Sequence, residues 1–127
     1  MDDLKNRQPS VLLISADLFL GSRIRGAVSA SGASLSVAPS GQTAVSRLME
    51  DQYALALIDL ETPGIDPVEI VHTANRVTPT STVAYGPHVK ERLLTAAKEA
   101  GCTEVLSRGK FDATIGEILS RHLTGNE

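Results

Sequence analysis

The stretch Ala54–Pro67, ALALIDLETPGIDP, limits the possible folds more than any other part of the chain. Ala54-Leu55-Ala56-Leu57-Ile58 is apolar without interruption, so it has no face to give to water. A short run of this kind suits a central strand of a parallel sheet, covered by helices on both sides. It ends on a carboxylate, Asp59, and the Pro63-Gly64 turn follows. Asp66-Pro67 then opens a helix with a capping acid and a proline at the first helical position. Asp59 is thereby expected at the carboxyl end of the strand, the edge where open α/β sheets hold their ligands.

The rest of the chain repeats this rhythm. Val11-Leu12-Leu13-Ile14 is a second fully apolar run, and Leu20, Ile24, Ala27 and Val28 follow at helical spacing until Gly32. Leu35-Ser36-Val37 alternates, as an edge strand does, and Ser40 caps a helix with Ala44, Val45, Leu48 and Met49 inward. Beyond Asp66-Pro67, a helix turns Ile70, Ala74 and Val77 inward and closes at Pro79. Ser81–Tyr85 reads as the fourth strand. A helix marked by Val89, Leu93, Ala96, Ala97 and Ala100 comes next, then Thr103–Ser107 as the fifth strand. Ile115, Ile118, Leu119 and His122 give the last helix its buried stripe. Five strands alternating with five helices predict one parallel α/β domain with right-handed crossovers. We place a polar leader at 1–9, the domain at 10–124 and a short tail at 125–127.

Composition narrows the function. The chain has 127 residues, room for one domain with a real core. At 42% hydrophobic and 21% charged it has an ordinary globular balance. A net charge of −3 without a basic run argues against nucleic acid or an anionic membrane as a direct partner. No apolar stretch approaches the roughly 20 residues of a spanning helix, and the acidic N-terminus does not begin a signal peptide. One cysteine, Cys102, precludes an internal disulfide and fits a reducing cytoplasm. His72, His88 and His122 lie on separate elements without metal-ligand spacing. There is no phosphate-cradling glycine loop and no nucleophile elbow, so enzymatic activity is not expected.

In this order of features the chain resembles the receiver domain of two-component response regulators over roughly Ser10–Leu123. Leu57-Ile58-Asp59-Leu60-Glu61-Thr62-Pro63-Gly64-Ile65-Asp66 and Glu99-Ala100-Gly101-Cys102-Thr103-Glu104 carry the likeness. The resemblance implies a flavodoxin-like (βα)5 fold, strand order 2-1-3-4-5, with Asp59 at the phosphoacceptor position. It also implies a pocket in which an acid pair, the acceptor, a hydroxyl and a lysine gather around Mg²⁺. In this sequence Ser15 and Ala16 stand where the acid pair would be, with Asp17 next along. Gly86 stands for the hydroxyl, Val105 for the aromatic switch residue and Arg108 for the lysine.

A carboxylate is a poor nucleophile toward phosphorus unless the charge on the transferring group is neutralised. With Ser15 and Ala16 for the acids, Mg²⁺ has too few ligands, so no cofactor is expected. The resemblance therefore implies a degenerate receiver that binds a signalling protein, a histidine kinase or a separate output protein, independent of phosphorylation. The alternative is a phosphoacceptor in which Asp17, Asp59 and Glu61 hold a weakened metal site. The face formed by helix four, strand five and helix five is the implied site of partner binding or homodimerisation. Its candidate residues are Lys90, Arg92, Lys98, Glu117 and Arg121. In place of the metal, Asp59 and Arg108 are expected to pair, because guanidinium meets carboxylate through two hydrogen bonds.

Overall fold

The computed structural model describes residues 8–76 and 79–123. The leader up to residue 7, Val77 and the tail at 125–127 lie outside the described residues. The strands are β1 (Ser10–Ile14), β2 (Ser34–Ala38), β3 (Leu55–Asp59), β4 (Ser81–Gly86) and β5 (Glu104–Ser107). They pair in parallel in the order β2-β1-β3-β4-β5. The helices are α1 (Leu18–Ala30), α2 (Gly41–Glu50), α3 (Pro67–Ala74), α4 (Glu91–Glu99), α5 (Arg108–Ala113) and α6 (Ile115–Leu123).

Alternation along each strand feeds two cores, one on each face of the sheet. Leu13, Leu57, Val83 and Tyr85 pack with Leu20 and Ile24 of α1, Phe111 of α5 and Ile118 of α6. Leu12, Ile14, Ile58 and Ala84 pack with Ala44 of α2, Ile70 of α3 and Ala97 of α4. Every residue of β3 is buried, which is why its sequence has no polar position before Asp59. Cys102 packs half-buried against the second core as a small apolar residue.

The caps at Ser40 and Asp66 lie where the sequence puts them, and Asp17 adds a third that sequence reasoning did not assign. Asp17, Ser40 and Asp66 accept from first-turn amides, and Pro67 is the first residue of α3. Gly32 and Gly101 follow helix ends at positive φ, the region a side chain disfavours. Some expectations need correcting. Met49 and Val89 are exposed, and Val89 precedes α4 rather than belonging to it. The last helix is two helices, because Thr114 leaves helical geometry at φ −125° and ψ 22°. Its N–H and hydroxyl both turn back to the Lys110 carbonyl, closing α5 there.

Candidate functional site

Asp59 is the last residue of β3, between the carboxyl ends of β1 and β4, and only 4% of it is exposed. The turn after it is tied down on its far side. The buried Thr62 hydroxyl donates to the Asp59 carbonyl at 2.6 Å and to the Ile14 carbonyl at 3.1 Å. Gly41, opening α2, donates its N–H to the Pro63 carbonyl at 2.9 Å. A Cβ on Gly41 would lie 2.0 Å from the Gly64 oxygen, so only glycine permits this approach.

Both oxygens of Asp59 are engaged by neutral donors. Ser15 donates its hydroxyl to Oδ2 at 2.8 Å, and the Glu61 N–H reaches Oδ1 at 3.0 Å. Ser15 is also buried, and its Oγ accepts the Asp17 N–H at 3.0 Å. Ala16, between them, is exposed.

Arg108 makes a different pair from the one its position suggests. Its Nη2 donates to Oδ2 of Asp17, not to Asp59. The cause lies in the cap of α1. Asp17 Oδ1 accepts the Phe19 and Leu20 amides, which leaves Oδ2 free toward the start of α5. Those backbone donors, chiefly Leu20, together with Arg108 hold the Asp17 carboxyl below its usual range. Asp17 in turn outweighs the desolvation of Arg108 and keeps its guanidinium firmly charged. Glu61 is matched separately, by Lys90 at 2.8 Å. Asp17 and Glu61 thus each have a cation, while buried Asp59 has only neutral hydrogen bonds.

Gly86 is buried at the end of β4, and the Leu60 and Leu94 side chains lie nearest the place a Cβ would take. Val105 is half-buried against the core on the α2–α4 face. Neither offers Asp59 a polar group. Of the expected surface residues, Lys90 turns to Glu61 and Arg121 is held by Glu104 through two 3.0 Å bonds. Arg92, Lys98 and Glu117 are exposed, without an ion pair among the described residues. Among the same residues no three acids, histidines or cysteines gather as a metal site would require. No helix there is long and apolar enough to cross a membrane.

Sequence reasoning missed two residues beneath the site. Tyr85, paired with Asp59 across β3 and β4, is fully buried and stacks on Phe111 with ring centroids 3.9 Å apart. Its hydroxyl makes no hydrogen bond of ordinary geometry. Burial, and then the Asp59 charge, drive the pKa of that hydroxyl far above its usual value, with Ser15 and Arg108 opposing. An aromatic closing an apolar strand, with Phe111 soon after the next strand, was the available signal.

No family model matches this sequence, and no curated protein matches it. The fold, however, is shared with many solved structures. A CheY-like response-regulator receiver domain protein from Methanospirillum hungatei has a TM-score of 0.78 at 13% identity, covering 93% of this chain and 95% of that one. The signal receiver domain of an HD domain-containing protein from Pseudomonas fluorescens gives 0.79 at 19% identity, covering 94% and 89%. The receiver domain of a sensor histidine kinase from Pseudomonas aeruginosa, which carries a magnesium ion in its active-site cleft, gives 0.76 at 18%, covering 91% and 98%. In fold, this chain is similar to the CheY-like receiver domains of response regulators.

Proposed function

We propose that this chain is a signalling module of receiver fold that acts by binding a protein partner, without phosphorylation of Asp59, without Mg²⁺ and without enzymatic activity of its own. One observation carries the reading: the surroundings of Asp59 are already closed by the protein's own donors. Ser15 and the Glu61 amide occupy its two oxygens, and Arg108 is taken by Asp17. Mg²⁺ favours octahedral oxygen ligands supplied by carboxylates, water and phosphate. A serine hydroxyl that donates its proton to the acceptor, beside an exposed alanine, is a poor donor set for that ion. Phosphoryl transfer also needs cations free to meet the growing charge, and the two nearby side-chain cations, Arg108 and Lys90, are engaged with Asp17 and Glu61.

Partner binding is assigned to the face of α4, β5 and α6, where Arg92, Lys98 and Glu117 are exposed charges without an ion pair among the described residues. The same face serves a homodimer if one forms. The phosphoacceptor alternative draws on Asp17, Asp59 and Glu61, and it requires Arg108 and Lys90 to release two of these acids. Intact-protein mass spectrometry after incubation with Mg²⁺ and acetyl phosphate separates the two readings. The expected result is no phosphorylated species, and no saturable amide shifts near Asp59 when Mg²⁺ is titrated in an NMR experiment. A phosphoryl adduct present in the native protein and lost in Asp59→Asn overturns the proposal.

A further inference from the structure

The two outer strands of the sheet are finished in different ways. β5, at one edge, carries Glu104, whose carboxylate is held by Arg121 at 3.0 Å and by His122 at 2.6 Å. β2, at the other edge, reads Ser34-Leu35-Ser36-Val37-Ala38 and has neither a charge nor a proline. Sheets commonly guard an outer strand with one or the other, because its unpaired backbone is a template for another chain. The pairing of β2 with β1 tells which of its groups are open. Ser34 donates its N–H to the Pro9 carbonyl, and the Ala38 carbonyl accepts the Ser15 N–H, so Ser34, Ser36 and Ala38 turn their backbone to β1. Leu35 and Val37 turn theirs outward, where no strand follows among the described residues.

Each face of this edge also has an open groove beside it. Leu35 and Val37 pack toward α1, and Val37 borders a groove of about 330 Å³ with Leu13, Leu18, Gly21 and Arg25. Leu18 is 86% exposed at its rim. A Cβ on Gly21 would meet only Leu13, at an ordinary 3.8 Å, so packing does not demand glycine there, and glycine keeps the groove open. Ser36 lies opposite Leu12 on the α2 face, and it borders a second groove of about 440 Å³ with Glu50, Asp51 and Tyr53. The two grooves differ in charge. Arg25 at the first, and Glu50 and Asp51 at the second, are exposed and have no ion pair among the described residues. A chain laid along an outer strand places its side chains alternately on the two faces, so each groove selects every second residue.

We propose that the open edge of β2 receives an extended peptide segment of a partner protein in which apolar and basic side chains alternate. The backbone groups of Leu35 and Val37 supply the hydrogen bonds. The apolar side chains of the segment enter the groove beside α1, and its basic ones meet Glu50 and Asp51. Arg25 repels a basic side chain from the apolar groove, so charge decides which face of the segment turns to α1. A slip of one residue exchanges the two faces and is penalised on both. This edge is separate from Asp59 and from the face of α4, β5 and α6. The inference goes beyond the function proposed above and stands whether or not Asp59 accepts a phosphoryl group.

The probe is a fluorescein-labelled heptapeptide of alternating lysine and valine, titrated against the full chain by fluorescence anisotropy and followed by amide hydrogen exchange. In the free protein the Leu35 and Val37 amides are expected to exchange fast while that of Ser36 is protected. Saturating peptide is expected to slow Leu35 and Val37 about tenfold and to leave Ser36 nearly unchanged. A peptide of the same composition, with its lysines and valines in separate blocks, is expected to bind about tenfold more weakly. Glu50→Lys combined with Asp51→Lys should weaken the alternating peptide by about the same factor, and so should Gly21→Leu, which fills the groove beside α1. Equal binding of the two peptides would mean charge attraction alone and would overturn the proposal. So would binding that leaves the Leu35 and Val37 amides fast. Protection of those two amides already in the free protein would also overturn it, since a second copy or another part of the chain would then cover the edge.

Discussion

On the α2–α3 side of Asp59 the chain is held by buried Thr62, by the Gly41 amide on the Pro63 carbonyl, and by a backbone approach that excludes any side chain at Gly41. On the α1–α5 side Phe111 is packed in the core beneath, but the outer edge is held by two partly exposed ion pairs, Asp17–Arg108 and Arg23–Asp112, flanking a cavity. The first side is fixed by short-range contacts that have no second arrangement at similar energy. At its outer edge the second depends on charge, and so on salt, pH and competing groups. A single buried carboxylate thus sits between a rigid wall and a compliant one. Anything that alters the surroundings of Asp59 is expected to act through the compliant wall.

Filling the rigid wall gives the largest expected effect. In Gly41→Ala the new methyl meets the Gly64 oxygen, and backbone has no rotamer by which to yield. The expected loss is about 3 kcal/mol of unfolding free energy, or a melting temperature lower by roughly 10 °C. Thermal denaturation checks it. A drop of under a few degrees would show that the wall adjusts as readily as the other side.

How much of this contrast was legible in sequence depends on the kind of contact. Asp59 was visible because β3, buried on both faces, admits no polar residue until its end. The caps at Ser40 and Asp66 were visible because local backbone donors decide them, whereas Asp17 reads in sequence as a pocket acid and its role as the cap of α1 was missed. The partner of Arg108 was not. Both acids lie at the same sheet edge, and the choice turned on Asp17 keeping one oxygen spare while both oxygens of Asp59 were taken. The break at Thr114 was hidden because Phe111, Ile115 and Ile118 keep helical spacing straight through it. The role of Tyr85 was hidden because strand periodicity tells which face a residue takes, not what its terminal atom meets.

Acid probes the compliant wall and its neighbour at β5. Arg121, then His122, hold Glu104 below its ordinary pKa of 4.5, as the Leu20 amide and Arg108 hold Asp17 below 3.8. A carboxyl whose folded pKa is depressed stabilises the fold fully above its unfolded value. That contribution is lost as pH falls through the folded value. Stability is therefore expected to be flat above about pH 5 and to fall below about pH 4.5. Glu104→Gln should lower stability by about 1 kcal/mol at neutral pH and flatten the acid limb. Denaturant unfolding across pH 3 to 7 measures both. An acid limb unchanged in Glu104→Gln, or stability rising toward low pH, would contradict the assignment.

Asp59 itself should respond more weakly, although it lies at the centre. Its replacement by asparagine removes a buried charge with no cation in contact, and Arg108 stays on Asp17. The near-isosteric amide keeps an acceptor for one donor and can itself donate to Ser15. Asp59→Asn is expected to change stability by less than about 1 kcal/mol, with no effect of added Mg²⁺ on either protein. Chemical denaturation with and without the ion checks it. A large loss would mean that Arg108 leans on Asp59 after all, and a large Mg²⁺-dependent difference would restore a metal to the site.

The smallest expected effect has the most informative sign. Tyr85 is fully buried, and its hydroxyl makes no bond of ordinary geometry. Ser15 nevertheless keeps a lone pair beyond the one that accepts the Asp17 amide. Tyr85→Phe keeps the ring and its stack on Phe111, so it removes the oxygen and leaves almost no void. A hydroxyl that is truly unpaired opposes folding, and its removal should be neutral or stabilising, by up to about 1 kcal/mol. A hydroxyl that reaches Ser15 in solution would instead make Tyr85→Phe destabilising, and Ser15→Ala would abolish the difference. We expect the first sign, because the core holds the Tyr85 ring flat against the buried Phe111 with an interplanar angle of 10°, which fixes where its oxygen points. A double-mutant cycle between Tyr85→Phe and Ser15→Ala that returns a coupling near zero supports it. A favourable coupling above about 0.5 kcal/mol would place the tyrosine in the hydrogen-bond chain that ends on Asp59, and would make the compliant wall the better connected of the two.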